Sequence, residues 1–255
     1  MPAPDLSFGI SSAVPRVALV TGGGRRLGAA LVRMLAQQGF AVAIHYHGSE
    51  AEAEALLTEI GGRGCILQAD LACEAAVETL LSRAMAALGP VGVLINNASA
   101  FERDEIGDAT RESWDRHLEP NLRAPFVLSQ TLARELPENA QGLILNMLDQ
   151  RVWNLTPHFV SYTISKSALW TLTQTLALAL APRIRVNAIG PGPVLPAPRQ
   201  AQAHFDLMCA RTPLGHGSSP DEIACAALAL FSLPSVTGQM LALDAGQHLN
   251  WSPAS

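Results

Sequence analysis

Charge is scarce in this chain: only 15% of its 255 residues are Asp, Glu, Lys or Arg, and the formal net charge is -5. No Lys/Arg block exists beyond Arg25-Arg26, which argues against a nucleic-acid or anionic-membrane partner. Cysteine is sparse as well. Cys65, Cys73, Cys209 and Cys225 show neither C-x-x-C nor Cys/His spacing, so they read as small buried hydrophobes in a reducing compartment rather than as metal or redox ligands. No apolar run reaches the roughly 18 residues of a membrane span. The nearest, Leu172–Ala181, is interrupted by Thr173, Gln174 and Thr175. The first fifteen residues lack the basic start and long apolar core of a signal peptide. These absences describe a soluble, cytoplasmic protein with no metal site.

What is abundant is apolar surface. With 49% hydrophobic residues the chain can bury a large core, and its length fits one α/β domain over 1–255, with 1–14 expected to be a poorly ordered extension. Strand-length apolar runs alternate with helix-length segments. Strands are expected at Arg16–Thr21, Ala41–His45, Gly64–Gln68, Val91–Asn96, Leu143–Met147, Ile184–Ile189 and Met240–Leu243. Leu27–Gln38 reads as a helix ending at Gly39, and Ser49–Ile60 as a helix N-capped by Ser49. Strands that are apolar almost throughout are covered on both faces. The expected fold is therefore a single-domain, Rossmann-type, doubly wound parallel sheet with helices on both faces.

Thr21-Gly22-Gly23-Gly24-Arg25-Arg26-Leu27-Gly28 follows the first strand and opens the first helix. Glycines there let backbone approach a pyrophosphate, and the helix N-terminus supplies N–H donors. Strict G-x-G-x-x-G fails; T-G-x-x-x-G-x-G fits, with Arg26 in place of the middle glycine. The second strand ends in His45-Tyr46-His47-Gly48-Ser49, with no carboxylate before Glu50. An acid there would select NAD by binding the ribose 2′-hydroxyl. Its absence, with Arg26 adding positive charge and His47 and Ser49 offering donors, selects NADPH, whose 2′-phosphate an arginine attracts. The two histidines as ordinary strand-end residues remain the alternative.

Asp149, Tyr162 and Lys166 form the third pattern, Asp-x12-Tyr-x3-Lys. Tyr162 and Lys166 share one helix face, and an ammonium beside a phenol is expected to lower its pKa and make it a usable acid/base. The pair alone is equally consistent with solvated neighbours on a helix.

Together with Asp70 in QADL, Asn96-Asn97-Ala98, Asn121 in NLRAPF, Asn187–Gly192 and Thr237-Gly238…Leu243-Asp244, these motifs resemble the short-chain dehydrogenase/reductase family over roughly residues 15–248. The resemblance implies Tyr162 as acid/base, Lys166 as ribose ligand and tuner of Tyr162, and Asn121 in a proton relay. It places the cofactor against Gly22, Gly24, Arg25, Arg26, Leu27, Gly28, Tyr46, His47, Ser49, Asp70, Leu71, Asn97, Ala98, Ser99, Lys166, Pro191, Gly192 and Val194. A homotetramer is the family's usual assembly.

Most members of the family carry serine where this chain has Asp149. That change, with TGGGRRLG, HYHGS, NNASAF and TGQMLALDAGQHL, is similar to the pteridine reductase and dihydromonapterin reductase branch, which reduces C=N bonds of pterins. Ser99 and Phe101 stand at its pterin contacts, with Arg26, Asp149 and Tyr162 completing the substrate site. Gly48 stands where relatives often have a basic residue, and Val194-Leu195-Pro196 lacks a threonine common near the carboxamide. Chemically, an ionised carboxylate opposes the alkoxide of a reduced ketone. A ring nitrogen instead gains a proton, which partial burial would keep available on Asp149 or relay through Tyr162. Two alternatives stay open: a carbonyl or 3-oxoacyl reductase, and a silent NADP-binding module. The alternative role for Asp149 is merely to hydrogen-bond the loop Gln150–Pro157. Phe205–Met208 reads either as a lid or as an ordinary helix. His158 and His204 read as surface residues.

Overall fold

Strands that bury both faces need two layers of cover, and the computed structural model, which describes residues 9–197 and 200–250, supplies them. The elements run β1 (Val17–Val20), α1 (Arg26–Gln37), β2 (Ala41–Tyr46), α2 (Glu50–Glu59) and β3 (Gly64–Gln68). Next come α3 (Glu74–Leu88), β4 (Val93–Asn96), α4 (Arg111–Leu118), α5 (Ala124–Glu135), β5 (Gly142–Met147) and α6 (Val160–Leu180). The last are β6 (Ile184–Pro191), α7 (Gln202–Ala210), α8 (Pro220–Ser232) and β7 (Met240–Leu243). One parallel sheet has the order β3-β2-β1-β4-β5-β6-β7. The order reverses between β1 and β4, which opens a crevice at the carboxyl ends of the strands.

Leu31, Val32 and Leu35 of α1 and Ile223, Ala227 and Phe231 of α8 cover one face. Leu80, Leu81, Leu128, Leu132 and Leu176, from α3, α5 and α6, cover the other. Each fully buried leucine contributes about 2 kcal/mol of burial.

Two expectations change, and an open reading narrows. Residues 9–14 are not a loose extension: Ile10 and Val14 are buried in the core, and Gln141 N–H donates to the Ala13 carbonyl at 2.9 Å. Residues 1–8 lie outside the described part. Ser49 does occupy the position before α2, but its hydroxyl makes no capping bond. Phe205–Met208 lie on helix α7, which has no buried residue and does not line the crevice. Among the described residues no helix is long and apolar enough to cross a membrane, no metal-ligand cluster occurs, and the cysteines are free thiols.

Candidate active site

The loop between β1 and α1 is folded onto its neighbours from three sides. Thr21 Oγ accepts from Asn97 N–H and Ala98 N–H at 2.9 and 3.0 Å. Asn97 Nδ2 donates to the carbonyls of Thr21 and Gly22 at 2.8 and 3.1 Å. Gly22 is left-handed, φ +60°, and its N–H donates to His45 Nδ1 at 3.0 Å. A Cβ at Gly28 would collide with the Gly22 carbonyl and lie 2.8 Å from Asn97 Nδ2, so only glycine lets the helix start this close. His45, missed as a site residue, is a structural brace. Its Nε2 pairs with the Ala69 carbonyl at 3.1 Å, and burial draws its pKa down to about 4, so it stays neutral. Its place within the continuous apolar run of β2 was the sequence signal for it.

A cavity of about 710 Å³ lies against this loop, lined by Gly22, Arg25, Leu27, Gly28, Tyr46, His47, Ser49, Asp70, Leu71, Ala98 and Ser99. It shares Arg26, Leu27, Asn97 and Ser99 with a second cavity of about 260 Å³. Phe101, Asp149, Tyr162, Lys166, Pro191, Gly192 and Val194 line that one. Two selected residues lie outside both cavities. Gly24 packs against Ala53 of α2. Asn121, in a π-helical turn over Glu119–Arg123, holds Ala100 by accepting from its N–H at 2.8 Å and donating to its carbonyl at 3.0 Å. It also donates to Ser165 Oγ at 3.0 Å and makes no hydrogen bond with Tyr162 or Lys166. Asn121 is therefore placed to position the cavity wall.

The cation beside the end of β2 also differs from expectation. Arg26 takes the left-handed conformation, φ +53°, at the position where the motif has glycine, a strain of about 1 kcal/mol. Its guanidinium is spent on the carbonyls of Pro196 and Leu195, at 3.0 and 3.3 Å, tying the phosphate loop to the loop after β6. The Arg25 guanidinium has no hydrogen-bond partner among the described residues, and Arg25 lines the large cavity with His47 and Ser49. The nearby acid, Glu50, accepts from the Tyr46 hydroxyl at 2.8 Å. This donor set, with the glycine cradle, fits a phosphate-bearing dinucleotide.

In the smaller cavity the Tyr162 hydroxyl donates to Asp149 Oδ2 at 2.9 Å, and Arg151 N–H donates to Asp149 Oδ1 at 2.8 Å. Both carboxylate oxygens accept, which suits the ionised form and leaves the one shared proton on Tyr162. Asp149 thus bonds its own loop and the tyrosine together. Lys166 is buried, and its Nζ donates to the Met147 carbonyl at 2.8 Å. It is also the chain's only lysine. The expectation that Lys166 lowers the Tyr162 pKa fails. Burial, and then the Asp149 carboxylate, push the phenol well above its ordinary value. Burial likewise draws the Lys166 ammonium down to about 8.

Behind the cavity, Phe101 stacks on Phe159 with centroids 4.7 Å apart and meets the Tyr162 ring edge-on at 4.7 Å. Phe159 precedes α6 in the left-handed region, φ +58°. Its N–H donates to the Asp104 carbonyl at 2.9 Å, and Asp104 Oδ1 accepts from Ser161 N–H at 3.2 Å. Ser161 Oγ in turn meets His117 Nδ1 at 2.7 Å, while His117 Nε2 accepts from Glu102 N–H at 3.0 Å. Burial lowers the His117 pKa, so the imidazole in this strut between the Phe101 segment and α6 is neutral.

The family model described as Enoyl-(Acyl carrier protein) reductase matches residues 24–248, and the chain belongs to the short-chain dehydrogenase/reductase family of oxidoreductases. More particularly, it is similar to the crystal structure of FolM Alternative dihydrofolate reductase 1 from Brucella canis complexed with NADP. The identity is 45%, with TM-score 0.91, covering 94% of this chain and 96% of that one. The Brucella suis counterpart, also with NADP, is 46% identical with TM-score 0.90, covering 94% and 98%. A 3-oxoacyl-[acyl-carrier-protein] reductase FabG of Staphylococcus epidermidis is 30% identical over 240 residues, 91% of this chain and 98% of its own length.

Proposed function

We propose that this protein is an NADPH-dependent reductase of a pterin C=N bond, converting a dihydropterin, or dihydrofolate, to the tetrahydro form. The observation that carries this reading is the Asp149–Tyr162 hydrogen bond of 2.9 Å at the floor of the smaller cavity. NADPH supplies a hydride when bound. Arg25, His47 and Ser49 would hold its 2′-phosphate, the Gly22–Gly28 loop its pyrophosphate, and Lys166 with Pro191-Gly192 its nicotinamide end. Phe101 offers a ring face for the pterin, with Ser99 and Arg26 at its edge.

The chemistry asked of the chain is then a single proton. As the substrate carbon gains a hydride, its ring nitrogen takes the proton shared by Tyr162 and Asp149. The pair is left as phenolate and carboxylate and recovers a proton from solvent. The structures of FolM Alternative dihydrofolate reductase 1 support the reading at 45% and 46% identity. The relative named for 3-oxoacyl reduction keeps a carbonyl reductase as the second reading. Measuring NADPH oxidation with a dihydropterin, dihydrofolate and a panel of ketones tests both. Turnover confined to ketones would replace the first reading with the second. Tight NADPH binding with no turnover of any substrate would sink both in favour of a silent binding module.

A further inference from the structure

Among the described residues Arg151 is a cation without a counter-carboxylate, set against the catalytic pair. Its Cζ lies 4.6 Å from the ring centroid of Phe159, 5.3 Å from Phe101 and 6.0 Å from Tyr162. Its Nη1 is buried and has no hydrogen-bond partner among the described residues. Arg103 and Arg116 nearby are each paired with a carboxylate instead. A half-buried guanidinium with one nitrogen sealed from solvent and unpartnered is unfavourable, and aromatic faces offset only part of that penalty. A negative charge beside those rings would offset more.

We propose that Arg151 is the permanent counterion of the Asp149–Tyr162 pair, holding it ready to lose its proton. The inference rests on the reading of that pair as proton donor. When Tyr162 gives up its proton, a second negative charge forms 2.9 Å from the Asp149 carboxylate, and like charges at that range oppose it. Arg151 faces the ring of the new phenolate, and its backbone N–H already bonds the carboxylate.

Lys166 is a poor substitute. Its Nζ lies at a similar distance, 5.8 Å from the Tyr162 centroid, but it is held by the Met147 carbonyl, and with a pKa of about 8 it loses its charge as pH rises. A guanidinium keeps its charge throughout. The remaining titratable group facing Tyr162 is His117 on α4, centroid 6.0 Å away and neutral through burial. Arg151 is thus a positioning residue that acts by charge.

The test reads Tyr162 directly. The chain has two tyrosines, so Tyr46→Phe leaves Tyr162 as the sole source of tyrosinate absorbance. Asp149→Asn is added to remove the neighbouring charge that holds the phenol high. On that background Arg151→Met should raise the Tyr162 midpoint by about one pH unit, a roughly tenfold change in phenolate. Arg151→Lys should raise it by less than half as much. An unchanged midpoint in the Met variant, or equal shifts with Met and Lys, overturns the proposal. If circular dichroism shows the Met variant misfolded, Arg151→Gln, also uncharged, is read the same way. Turnover by Tyr162→Phe separates this inference from the functional reading. Full pterin reduction without the phenol would discard the proton-donor role, whatever the midpoints show.

Discussion

Replacing Asp149 by serine should exchange one kind of hydride acceptor for another. Tyr162 Oη lies 2.9 Å from Asp149 Oδ2, so a substrate atom hydrogen-bonded to that phenol falls within about 4 Å of the carboxylate. Two unit charges at 4 Å interact by about 4 kcal/mol at an effective dielectric near 20. For the alkoxide of a reduced ketone the term is repulsive and worth about a thousandfold in rate; for a C=N nitrogen gaining a proton it is attractive. Serine removes it from both. Pterin turnover should fall by about two to three orders of magnitude, and ketone turnover should rise by up to a similar factor. The carboxylate also accepts from Arg151 N–H at the Gln150–Val152 turn, a capping bond that a serine hydroxyl can accept as well, so the turn is kept. Asp149→Asn keeps an oxygen for that turn and isolates the effect of charge. NADPH oxidation with a dihydropterin and a ketone panel gives both rates. Undiminished pterin turnover in the two variants would refute the argument.

Other perturbations have equally definite signs. Lys166 titrates near 8 when folded and at its ordinary 10.5 when unfolded, so the unfolded chain binds more protons between these values and stability rises with pH across that window. Denaturant titrations should show that rise, about 3 kcal/mol in all, flattened in Lys166→Met, with turnover reduced roughly hundredfold or more. His45, with a folded pKa of about 4, is stabilising above pH 6.5 and loses that contribution as pH falls toward 4. His45→Gln should flatten this acid limb and weaken NADPH binding, which calorimetry at several pH values measures. Gly28→Ala must push the Gly22 carbonyl aside, and fluorescence titration should find NADPH affinity lowered at least about tenfold while the far-ultraviolet spectrum is kept.

The parallel sheet was legible because strands such as Val17–Val20 and Leu143–Met147 are apolar at nearly every position, a pattern that fits cover on both faces. The close pairing of Asp149 with Tyr162 was legible too, since a carboxylate ending a strand and a tyrosine one turn into the next helix share the strand's carboxyl end. What the sequence hid depends on side-chain reach. Arg25 and Arg26 are adjacent and chemically identical, and only the left-handed turn at Arg26 sends one toward β6 and leaves the other by β2. The Arg151 cage depends on Phe159 being left-handed, which the distant carbonyl of Asp104 enforces. Asn121 looked catalytic from its motif, yet the π-helical turn aims its amide at Ala100.

Lys166 has one consequence outside catalysis. Because it is the chain's only lysine and is 3% exposed, it is the single side-chain amine available to acylating or aldehyde reagents, and the closed fold hides it. Slow modification at that position would report how often the pocket opens, as a chemical clock built into the fold. Surface cross-linking chemistries that need lysine would find almost nothing to hold.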